Sequence, residues 1–92
     1  MTEQVPAHFR NTRGEEVTHT PRSAVVLMAR ALGHIDLLPP LVREPVRLML
    51  EATIERCALT HNLWGLPFGY VIEIAQALVD TADGKVVDGA GG

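Results

Sequence analysis

Cysteine, lysine and aromatic residues are all scarce in these 92 residues. The single cysteine, Cys57, forbids an internal disulfide, so no oxidising compartment is implied. The aromatics are four, Phe9, Trp64, Phe68 and Tyr70, in a chain that is 47% apolar. Leucine, valine and alanine therefore carry the apolar character, a mixture suited to helices packed through aliphatic side chains. The longest unbroken apolar run, Ala24 to Ala29, falls far short of the roughly 20 residues that span a membrane. The opening stretch, MTEQVPAHFRNTRGEE, has no apolar core of signal-peptide length and carries acids where basic residues would stand. A cytoplasmic protein without a membrane segment is expected.

A basic face is also lacking. Residues 1–45 carry five arginines against five acids, and residues 46–92 carry three bases against six acids. Binding to a nucleic-acid backbone usually rests on clustered positive charge, and the net charge here is −3. Seven arginines to one lysine, with abundant Ala, Gly and Val, fit a GC-rich coding sequence of a bacterium or phage. A chain of this length makes one domain at most, and its limited burial demands a well-filled core or a partner.

What is present reads as an all-α domain of three helices over residues 20–84. An extended N-terminal arm (1–19) precedes it and a short flexible tail (85–92) follows. The arm mixes Pro, Gly, Asn, Thr and charges without a sustained period. Thr20 is a good N-cap and Pro21 suits the first turn, so helix one is expected over about 20–32, with Gly33 as a left-handed stop. That segment is apolar almost all round, apart from a narrow strip at Arg22, Ser23 and Arg30. GHIDLLPPLVREP is a connection, and Pro45 either begins helix two or kinks a helix begun near Pro40; the first is preferred, with helix two expected from Pro45 to about His61. Helix three is expected over about 67–83, with a narrow polar face of Glu73, Gln76, Asp80 and Asp83.

Helix two carries two apolar stripes. Val46, Met49, Leu50, Ile54 and Cys57 form the main one, and Leu48, Ala52 and Leu59 form a spare one on roughly the opposite side. A small bundle presents a stripe of about 100° per helix to its core, and these helices exceed that. The excess implies self-association, most simply as a two-fold dimer, and a further protein partner. The spare stripe is one candidate contact surface. The aromatic connection NLWGLPFGY offers another in Trp64, Phe68 and Tyr70, which either cap the bundle end or form a binding hot spot. The acids Glu73, Asp80 and Asp83 are placed to steer a basic partner or to be simply solvated.

Chemistry-bearing motifs are few. Cys57 and His61 stand four apart on one helix face, a spacing that suits two zinc ligands. A structural site needs four ligands and a catalytic one three, and no second pair is apparent. Two-fold symmetry offers one way to complete the set, so a metal or thiol protein with Cys57 and His61 across a dimer interface is an alternative. Cys57 sits near a helix C-terminus, where the dipole opposes a thiolate. DTADGKVVD does not match a calcium loop, because Gly84 as its sixth residue puts Val79 first. The final AGG matches the tail of ubiquitin-like modifiers, whose bodies are strand-rich where this one reads as helices. A nucleic-acid regulator using Arg10 to Arg22 of the arm is a second alternative, although helix three is acidic where a recognition helix would meet phosphate. The expectation is a non-enzymatic interaction protein without a cofactor.

Overall fold

A computed structural model describes residues 6–59 and 68–84 of the chain. Two short strands, β1 (Ala7–Arg10) and β2 (Glu16–His19), come first and pair antiparallel, Ala7 opposite His19 and Phe9 opposite Val17. Side chains alternate across the ribbon. Ala7, Phe9, Val17 and His19 are buried or half-buried on the inner side, while His8, Arg10, Glu16 and Thr18 are exposed on the outer one. The loop between them is closed by Asn11 N–H donating to Glu15 O at 2.9 Å and Gly14 N–H donating to Asn11 O at 3.0 Å. Gly14 has φ of 83°, where an L side chain is strained. The Asn11 side-chain oxygen accepts from the N–H groups of Arg13 and Glu15, both at 2.9 Å, and so holds the turn from within.

The hairpin corrects the expectation of an all-α fold with an extended arm. The molecule is mostly helical, but residues 7–19 fold back on themselves. The reason is local: Asn11 and Gly14 supply the turn chemistry between two alternating four-residue segments, and the inner side then has a helix to cover.

Helix α1 spans Pro21–Leu32. Thr20 and Ser23 form a reciprocal cap, Ser23 N–H donating to Thr20 Oγ1 at 3.1 Å and Thr20 N–H donating to Ser23 Oγ at 2.9 Å. Ala24, Leu27, Met28 and Ala31, spaced i, i+3, i+4, i+7, are buried. Gly33 does not stop the helix in the left-handed region. It stays right-handed at φ −73°, and a 3-10 turn (Ile35–Leu37) follows. The N–H groups of Gly33 and His34 donate to Arg30 O and Ala31 O, so the carbonyls at the helix end are satisfied without a left-handed residue.

Helix α2 spans Pro40–Leu59, starting five residues before the expected Pro45. Pro40 suits the first turn as well as Pro45 does, and Pro45 lies on the exposed side, where water can serve the Leu41 carbonyl its missing N–H would have bonded. The Arg43 guanidinium reinforces the start by donating to Leu38 O at 2.9 Å and Asp36 O at 3.2 Å. Helix α3 spans Phe68–Ala82 and ends at Gly84, φ 78°. The expected tail 85–92 and the helix-two end at His61 lie outside the described residues.

Packing is organised around α1, which touches both α2 and α3, while these two meet each other less. Met28, Leu50, Ile72 and Val79 are the largest fully buried side chains, with the alanines Ala24, Ala31 and Ala75 filling the close approaches. Leu50→Ala should lower the unfolding free energy by about 2–5 kcal/mol. Thr20→Ala should cost about 1 kcal/mol through the lost cap. Urea unfolding followed by circular dichroism measures both, and a near-neutral Leu50→Ala would contradict the packing described.

Candidate functional site

The spare stripe on α2 is exposed where the structure describes it. Leu48 is 52% exposed and Ala52 is exposed, on the side of the helix opposite fully buried Leu50 and Cys57. The earlier helix start adds Leu41, one heptad before Leu48, which is 92% exposed. Val42 and Leu37 are also exposed. The Leu59 side chain lies outside the described residues. Beside the stripe, the Arg47 guanidinium bonds Glu44 and Glu51 together, the latter at 2.8 Å. That triad keeps one net negative charge on the flank.

The aromatic residues separate. Trp64 lies outside the described residues. Phe68 is half-buried against the core and meets Phe9 edge to face, ring centroids 6.1 Å apart. Tyr70 is 61% exposed and shares a side of α3 with exposed Ile74 and Ala77. Cys57 is 6% exposed and belongs to the core between the helices, and burial pushes its thiol pKa up. It therefore points away from the exposed stripe on its own helix. His61 lies outside the described residues, and among those described no group of three or more His, Cys, Asp or Glu could hold a metal ion. In the arginine-bearing segment, Arg13 pairs with Glu15 at 3.2 Å and Arg10 sits opposite Glu16 in the ribbon.

The polar side of α3 is not simply solvated. Glu73, Gln76 and Asp80 are half-buried and face the hairpin across a cavity of about 290 Å³. Phe9, Val17 and the His19 ring, stacked on Phe9 at 6.3 Å between centroids, line this cavity from the hairpin, and Ile72 adds an apolar side chain from α3. Asn11, Arg13 and Glu15 of the hairpin loop close one end. The hairpin is held against α3 at two points. At the loop, the Thr12 N–H donates to Glu73 Oε1 at 3.0 Å and the Thr12 hydroxyl donates to the other carboxylate oxygen. On β1, the Phe9 ring lies so close to Gly69 that a Cβ there would sit 3.1 Å from it.

The charge states follow from these contacts. The two Thr12 donors, first the hydroxyl and then the N–H, hold Glu73 below the ordinary glutamate range, with a smaller pull from Arg13. Partial burial lowers His19, so its ring favours the neutral form, with Nδ1 3.0 Å from Ser23 Oγ. Asp80 accepts from Gln76 Nε2 at 2.9 Å. Neither Glu73 nor Asp80 forms an ion pair among the described residues. Sequence reasoning missed this cavity because it read residues 1–19 as an arm. The signal was there in Asn11–Gly14 and in the alternation of Phe9, Val17 and His19 with polar neighbours.

A glutamate whose folded pKa is depressed contributes stability that is present above its unfolded pKa, about 4.3, and lost as pH falls through the folded value. The Thr12 amide resonance should therefore move with a midpoint below that of free glutamate as the hairpin loosens in acid. Glu73→Gln should abolish this titration step. Cys57 should react with a thiol reagent such as dithionitrobenzoate only in denaturant, which measures its burial directly. Comparison with protein-family models, with curated proteins and with solved structures finds no match for this chain, so its function rests on this geometry.

Proposed function

We propose that this protein is a non-enzymatic interaction module that acts as a homo-oligomer, with the outer face of α2 as the contact between copies. The observation that carries the reading is the exposure of Leu41 and Leu48 on one helix face, with exposed Ala52 continuing it. A leucine fully buried from water contributes about 1.5–3 kcal/mol, so two from each copy supply a substantial drive. Exposed apolar residues lying together on one face mark contact sites more often than scattered ones do.

A second copy suits this face. In an antiparallel α2 pair with the two-fold axis near residue 50, Leu48 of one copy lies opposite Ala52 of the other, large against small. Leu41 then falls opposite the position of Leu59. Such a contact is isologous, each copy using the same patch. The internal pairing of Arg47 with Glu44 and Glu51 limits repulsion along the edge. The exposed Tyr70, Ile74 and Ala77 of α3 are then left for a different protein.

Light scattering on the purified chain tests the reading. The wild type should have the mass of two or more copies, and Leu41→Glu/Leu48→Glu should have the mass of one while keeping its helical circular dichroism. Both residues are exposed, so the double variant is expected to fold. A wild type that is a well-folded monomer would overturn self-association. A double variant that keeps the oligomer would move the contact to another face.

A further inference from the structure

The cavity between the hairpin and α3 shares no residue with the proposed α2 contact, and its lining has a chemistry of its own. We propose that it is a binding site for a small organic cation, a protonated amine carried on an apolar or aromatic body.

Size comes first. At about 290 Å³ the space lies at the lower edge of ligand pockets, which run from roughly 300 to 1,000 Å³. Taking a water's share of liquid volume as about 30 Å³, it admits a body on the order of ten non-hydrogen atoms. The apolar lining is suited to such a body. Phe9 and Ile72 face the space from opposite walls, with Val17 beside Phe9 on the hairpin. The stacked Phe9 and His19 rings present a flat aromatic surface, and a ring face attracts both an aromatic body and a cation.

Charge selects the head group. Arg13 is the one cationic side chain at the cavity, and its guanidinium is engaged by Glu15. His19 favours the neutral form. On the α3 wall, Glu73 and Asp80 bring two carboxylates whose hydrogen-bond donors among the described residues, Thr12 and Gln76, are uncharged. An anion entering here meets net negative charge, and a neutral ligand leaves the carboxylates without a counter-ion. A protonated amine supplies the missing charge and up to three donors. The Asp80 carboxylate is part-buried, so its pairing with an amine is screened less than at an open surface.

The hairpin also bounds the space along α3. Phe9 on Gly69 and Thr12 on Glu73 hold it against the first two turns of α3, and the cavity lies beyond them, between Val17 of the hairpin and Gln76 and Asp80 of the helix. Asp80 lies two turns along α3 from Glu73, beyond the Thr12 contact, so its carboxylate is the head-group partner that leaves the hairpin undisturbed when changed.

Nuclear magnetic resonance on the full chain at pH 7 tests the proposal with three probes of one shape: phenethylamine, 2-phenylethanol and phenylacetate. Phenethylamine should shift the Val17 and Ile72 methyl signals saturably, with at least about tenfold higher affinity than the alcohol, and phenylacetate should not bind. Asp80→Asn should reduce the amine affinity about tenfold and leave the Thr12 amide signal in place. Val17→Phe, which fills the space with a side chain, should abolish binding. Equal affinity for amine and alcohol on the wild type would overturn the assignment, without any variant being needed. So would saturable shifts confined to other residues, or none at about 10 mM amine, well above the millimolar affinity expected of so small a ligand.

Discussion

The structure depends on α1 being buried on two sides at once. Ala24, Met28 and Ala31 lose all contact with solvent, and Leu27 nearly all. Alanine at two of these positions lets neighbouring helices come close, and Met28 fills the space that remains. Helices α2 and α3 therefore each dock on α1 and need little from one another. The reciprocal cap at Thr20 and Ser23 sets where α1 starts and ties it directly to the end of β2.

That tie puts the hairpin over α3, and its placement decides which side of α3 meets water. The inner side of the ribbon carries Phe9, Val17 and His19, too little apolar surface to stand alone and enough to cover a helix edge. Gly69 admits the Phe9 ring and Glu73 accepts the loop, so the acidic edge of α3 becomes half-buried. The opposite edge, Tyr70, Ile74 and Ala77, is left exposed. Polar groups beneath the hairpin and apolar ones facing solvent invert the usual arrangement on α3, and that inversion gives the cavity its anionic wall.

Two surfaces with different chemistry result. The outer face of α2 exposes Leu41, Leu48 and Ala52, with Glu55 one heptad after Leu48 and a net negative charge on the Arg47 flank, a surface suited to another helix. The cavity under the hairpin has an apolar lining and one anionic wall, suited to a small cation. Cys57 serves neither, because it packs inward from α2 among the core side chains, where its raised pKa keeps it a thiol.

Helix existence, the two-sided pattern of α2 and the Thr20 start of α1 were legible because each depends on residues within one or two turns of one another. The inward set Val46, Leu50, Ile54 and Cys57 and the outward Leu48 and Ala52 follow from helical spacing alone. The hairpin was legible in principle through Asn11 and Gly14, yet a four-residue strand becomes stable only with something to cover, and that is a long-range fact. The start of α2 at Pro40 depended on Arg43 reaching back to Leu38 and Asp36, and on Pro45 facing water. By itself, then, the sequence determined three helices, the Thr20 start of α1 and a surplus of apolar surface. Only the tertiary structure decided that Glu73 receives Thr12 from 61 residues away and that a cavity lies between the hairpin and α3. Local periodicity carries no information about which distant segment will cover a polar helix edge, since that choice is made by the packing of the whole chain.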